Sequence, residues 1–99
     1  MKRKVLLRNN KVKASVLKLP EDVRAAFYLL AKEIEITGPV RGNWPNYSKL
    51  GKKGVHHCHL KKGKPTYVAI WKEEKEDKER VVFFEYVGTH EGANYDLYK

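Results

Sequence analysis

Four side chains that can move protons or bind metal stand together at His56-His57-Cys58-His59, and a basic run, Lys61-Lys62-Gly63-Lys64, follows after one residue. The fourth histidine, His90, sits in Gly88-Thr89-His90-Glu91. Imidazole, with an ordinary pKa near 6.5, can take or give a proton at neutral pH. Two imidazoles beside a cationic patch suit the cleavage of a phosphodiester. One removes the proton of a 2′-hydroxyl, the other protonates the leaving 5′-oxygen, and lysines offset the charge of the phosphorane. His59 and His90 are therefore the candidate catalytic pair. Zinc is the rival chemistry for His-His-Cys-His. It needs about four convergent ligands, whereas on a strand His57 and His59 share one face while His56 and Cys58 share the other. No metal and no small-molecule cofactor is expected, and Cys58 reads as a small buried apolar residue.

Bringing His59 and His90 together falls to the second half of the chain. Residues 55–61, 66–73 and 80–88 carry the strand pattern. Lys62-Gly63-Lys64-Pro65 joins the first pair, and residues 74–79, a solvated charge run, join the second. Short connections predict an antiparallel meander in chain order. The end of the first strand, the start of the second and the end of the third then share one edge, with the outer two strands roughly 10 Å apart. Cys58 and Leu60 should face the core, and His57, His59 and Lys61 the opposite side. Val68 and Ile70 are expected in the core, with Tyr67, Ala69 and Trp71 opposite. Helices on one side only would leave the histidine face open and basic.

The first half supplies that cover. Residues 4–8 read as a strand, and 10–18 as a helix carrying Val12, Val16 and Leu19. Val23, Ala26, Phe27, Leu30, Ala31 and Ile34 form the apolar stripe of a second helix. Pro20, Glu21 and Asp22 favour its start, and Gly38-Pro39 its end. Lys32, Glu33 and Glu35 are expected on its solvated face. Residues 46–50 suggest a short strand, Gly51-Lys52-Lys53-Gly54 a basic turn, and the tail from Glu91 has no clear period. Together these predict one α+β domain over residues 1–99: an antiparallel sheet of about four strands with two N-terminal helices packed on one face.

Composition agrees with a small domain facing a polyanion. The 99 residues hold 21 Lys plus Arg against 12 Asp plus Glu, a net charge of +9. Such a surface attracts nucleic acid. Lys53, Lys61, Lys62 and Lys64, on the turns flanking the histidine strand, are candidate phosphate contacts. His57 is a candidate RNA contact, and Tyr67 a candidate stacking partner for a base. No apolar run reaches the roughly 18 residues of a membrane span, and Val5-Leu6-Leu7 is too short for a signal peptide. A single cysteine fits a reducing cytoplasm.

The order of several short motifs resembles the RelE/ParE superfamily of toxin–antitoxin toxins, and most of all the RelE-like mRNA interferases of the YafQ type. These motifs are Leu19-Pro20-Glu21-Asp22-Val23, Gly38-Pro39, Gly42-Asn43-Trp44, Cys58-His59-Leu60, the apolar Tyr67-to-Trp71 strand and Gly88-Thr89-His90. The resemblance covers most of the chain after Leu19. It implies ribosome-dependent cleavage of mRNA without metal, and neutralisation by a cognate antitoxin protein. It also implies catalytic roles for His59 and His90, with Tyr67 as the aromatic opening the next strand. Thr66 stands where that branch carries an acidic residue, and its upstream histidine has no counterpart. Two other functions stay open: a ParE-like toxin that binds DNA gyrase and cleaves nothing, and a non-catalytic RNA-binding relative. The histidine pair favours the nuclease.

Overall fold

A computed structural model describes residues 3–99; Met1 and Lys2 of the basic amino-terminal run lie outside the described residues. The elements in order are β1 (Lys4–Leu7), α1 (Asn10–Leu17), α2 (Glu21–Thr37), β2 (Ser48–Lys49), β3 (Val55–Lys61), β4 (Tyr67–Glu76) and β5 (Glu79–Thr89), then a 3-10 turn over Tyr95–Tyr98. The Asn9 side chain accepts from Val12 N at 3.0 Å and so caps α1. Glu21 and Asp22 occupy the first turn of α2. Gly38, at φ 109° in the region that favours glycine, ends it.

The sheet has five strands rather than about four, in the order β1-β5-β4-β3-β2. It is also mixed, because β1 pairs parallel with β5, Lys4 opposite Val81 and Leu7 opposite Phe84. The crossover through α1 and α2 permits this arrangement. The other pairs are antiparallel, and β3, β4 and β5 form the expected meander. Residues 74–79 are a correction. They extend β4 and β5 into a long hairpin closed by Asp77-Lys78, with Asp77 at φ 54°. Charged side chains alternating on an exposed hairpin read as a solvated linker in sequence.

The main core lies between the helices and one sheet face. Val12, Val16, Val23, Phe27, Leu30 and Ile34 meet Cys58, Leu60, Ala69, Trp71, Val82, Phe84 and Val87 there. The face assignment of β4 is therefore reversed from expectation. Cys58 stands opposite Ala69 and His57 opposite Ile70. Directly opposed residues share a face, so Ala69 and Trp71 meet the helices, while Val68 and Ile70 lie on the histidine side. The run from Val68 to Trp71 is apolar on both faces, and alternation alone could not orient it. Val68 and Ile70 are nonetheless fully buried, so the second face is not open as expected. The C-terminal segment lies over part of it: the Tyr95 ring meets His57 and His90, and Lys52 N donates to Tyr98 O at 2.7 Å.

Candidate active site

His59 is the last histidine of β3, and His90 directly follows β5. Their ring centroids are 5.8 Å apart in a T-shaped arrangement. That is much closer than the outer strands, because both rings lean across the end of β4. His57 stands edge-on to His59 at 5.9 Å and to Tyr95 at 5.4 Å. Tyr95 also reaches His90, at 5.5 Å. The result is a closed cycle of contacts among three imidazoles and a phenol. They lie beside an open cleft of ≈ 610 Å³ lined by His59, Gly63, Lys64, Pro65, Thr66, His90 and Glu91.

Each histidine is held by its own element. His59 N donates to Pro45 O at 2.8 Å, continuing the pairing of β3 beyond the short β2. His90 N donates to Thr66 O at 2.8 Å. The turn carrying His90 is tied twice more. Tyr86 Oη donates to Thr89 O at 2.7 Å, and Gly92 N donates to Thr89 Oγ1 at 3.1 Å. His57 Nδ1 is 2.9 Å from Ser48 Oγ.

Burial sets the electrostatics. It holds the imidazoles of His56, His57 and His59 below their ordinary pKa, with neighbouring positive charge adding to the effect: Lys49 for His56, His59 and His90 for His57, and His90 and Lys62 for His59. Burial also pushes the Tyr95 phenol up to about 12. His59 Nδ1 and Tyr95 Oη are buried with no hydrogen-bond partner among the described residues.

The structure separates the residues that sequence reasoning grouped. His59, His90, His57 and Lys64 are together, and Lys62 is near enough for its charge to act on His59. Lys61 and Tyr67 are not with them. A bulge between His59 and Lys61 sets Lys61 opposite Tyr67, which packs against the helix-side core. Two consecutive residues then oppose one, and the alternation is broken. The Lys61 ammonium pairs with Asp22 at the start of α2. Lys53 lies in the turn at the other end of β3, roughly 20 Å along the strand from His59. His56, on the core face, is buried and stacks on Trp71 at 5.9 Å, its Nδ1 2.7 Å from Tyr47 Oη. Thr66 and Glu91 line the cleft without having been candidates, because backbone contacts leave no trace in sequence; Tyr95, which the sequence left free either to close over the site or to pack on the helices, closes over it.

Among the described residues, no three His, Cys, Asp or Glu side chains converge as metal ligands. No described helix is long and apolar enough to cross a membrane. The carboxylate of Glu33, expected on the solvated face of α2, instead accepts from Arg41 Nη1 (3.1 Å), Asn43 Nδ2 (3.0 Å) and Trp44 Nε1 (3.0 Å). These bonds hold it below the usual carboxylate pKa.

No protein-family model and no curated protein matches the sequence. Among solved structures, the chain is similar to one from the archaeal RelE-RelB complex of Pyrococcus horikoshii OT3. The TM-score is 0.66 at 18% identity, over 94% of this chain and 100% of that one. The likeness is one of fold: two helices against a five-stranded sheet in the RelE-like arrangement.

Proposed function

We propose that this chain is the toxin of a toxin–antitoxin pair, a RelE-like endoribonuclease of the YafQ-type branch that cleaves mRNA on the ribosome. One observation carries the reading: the His59 and His90 imidazoles stand 5.8 Å apart beside a cleft that also contains Lys64, in a chain of net charge +9. A phosphate seated in the cleft against both rings meets a proton acceptor and a proton donor. His59, with its pKa held low by burial, is neutral at pH 7 and takes the proton of the 2′-hydroxyl. The 2′-oxygen attacks phosphorus, giving a 2′,3′-cyclic phosphate. His90, solvent-exposed, protonates the departing 5′-oxygen. Lys64 and Lys62 offset the phosphorane charge. His57 and Tyr95 back the two catalytic rings.

Ribosome dependence and the antitoxin follow from the RelE-like reading. The similar solved chain comes from a complex of RelE with RelB, and by that likeness a cognate antitoxin protein binds this chain. Primer extension on translated mRNA tests the nuclease. His59→Ala and His90→Ala should each lower cleavage by roughly two or more orders of magnitude. Undiminished cleavage by the double variant would end the proposal. Arrest of DNA replication before translation would favour a gyrase-binding toxin instead.

A further inference from the structure

We infer that Glu33, on α2, is a positioning residue for His59, acting through the loop of residues 39–47. This rests on the nuclease reading for its catalytic consequence but not for its structural one. The loop is fastened at three points. At its start, Pro39 O accepts from the buried Trp71 indole at 3.0 Å. At its end, Tyr47 Oη meets His56 Nδ1 at 2.7 Å. Between them the Trp44 ring packs against the core, and the loop's side-chain hydrogen bonds to the helix converge on a single oxygen, Glu33 Oε1, which accepts from Arg41, Asn43 and Trp44. The next residue after Trp44 is Pro45, whose carbonyl accepts the His59 amide at 2.8 Å.

The sheet cannot hold His59 on that side without this loop. β2 covers β3 only at His56 and His57, through Lys49 and Ser48. Beyond them the β3 edge has the Pro45 carbonyl alone as a backbone partner among the described residues. Proline there accepts without donating, so one bond fixes the strand edge at His59. Immediately afterwards the strand bulges. A bulge disrupts the ladder locally, so on the outer side of β3 the bond to Pro45 is what holds the strand at His59. Glu33 is only partly exposed and close enough to β3 for its charge to help raise the Cys58 thiol. A charged acceptor serving three donors makes stronger bonds than neutral pairs would. The carboxylate thus sets where Trp44 lies, Trp44 sets Pro45, and Pro45 sets His59.

The test pairs hydrogen exchange with cleavage in the full-length chain. In Glu33→Ala the His59 amide should exchange at least about tenfold faster, with the buried Ala69 amide, on the central strand β4, as the internal reference for global stability. Cleavage of translated mRNA should fall about tenfold. Glu33→Gln, which retains an acceptor oxygen for Asn43 and Trp44, should restore most of both. Trp44→Phe, which removes the indole donor and keeps a smaller aromatic ring against the core, should reproduce a milder version of the Ala effect and guards against simple misfolding. Unchanged His59 exchange in Glu33→Ala and Trp44→Phe overturns the proposal. So does faster exchange with full cleavage, in a preparation where His90→Ala abolishes cleavage. If the wild-type chain cleaves nothing, the nuclease reading fails, and His59 exchange still decides whether Glu33 holds the strand.

Discussion

Replacing Gly92 by alanine should displace His90 without touching it. A Cβ built on Gly92 would lie 2.6 Å from Tyr86 Oη and 3.1 Å from Thr89 Oγ1, whereas ordinary contact starts at 3.4 Å. The shortfall against the phenol is about 0.8 Å. The φ of Gly92 lies outside the left-handed region, so this contact, not backbone strain, is the source of the cost. Tyr86 Oη is not free to swing, since it donates to Thr89 O. The turn of residues 89–92 must therefore move, at a cost of about 1–1.5 kcal/mol, the low end of overpacking because the turn is exposed. A displacement near 1 Å at a catalytic group can lower a rate on the order of 100-fold. Tyr86→Phe deletes the obstructing oxygen and its hydrogen bond, costing about 1 kcal/mol by itself. The double variant should then be more stable than the sum of the singles by about 1 kcal/mol. It should also cleave roughly tenfold faster than Gly92→Ala. Urea denaturation of the four proteins, with primer extension on translated mRNA, measures both. Strict additivity of the two stability losses would refute the steric account.

Acid should destabilise the fold through the histidines that burial holds below their ordinary pKa, His56, His57 and His59. Between those lowered values and about 6.5, the unfolded chain binds protons that the folded chain does not, so stability is present above that window and falls as pH drops through it. His56→Gln should flatten the slope of stability against pH by up to about 1.4 kcal/mol per unit, and an unaltered slope would contradict the assignment. Cys58, buried and with its thiol pushed up to about 12, should react with a thiol reagent only as fast as the chain opens; stoichiometric labelling within seconds of mixing would be inconsistent with its place in the core. Lys64→Ala should weaken RNA binding and reduce its salt dependence by about one ion's worth, while Lys61→Ala, whose ammonium faces Asp22, should leave both nearly unchanged. Equal losses from the two lysines would mean that the bulge does not sort them.

The histidine pairing was legible in the sequence because it needs only chain order and short turns: a three-stranded meander brings the ends of β3 and β5 to one edge whatever the faces do. The faces themselves were less legible. Val68, Ala69, Ile70 and Trp71 are all buried, so no alternation marks which side meets the helices. Lys61 was misplaced because a bulge shifts register without changing composition. Glu33 looked like one more charged residue on an amphipathic helix, and its three partners lie in a loop whose shape no local pattern encodes. The parallel pairing of β1 to β5 was hidden for a related reason: four residues of strand indicate neither their partner nor their direction.

That parallel pair has a consequence for how the molecule is made. β1 is synthesised before both helices and the other strands, and its strand partner among the described residues, β5, is the last of the strands to be completed. Val5 and Leu7 must wait unpaired through the synthesis of both helices and three strands, and closing so long a loop is entropically slow. The edge of the sheet and the turn that presents His90 therefore become complete in the same late stretch of folding. Under the proposed nuclease function, a nascent chain would stay inert until then, a safeguard written into its topology.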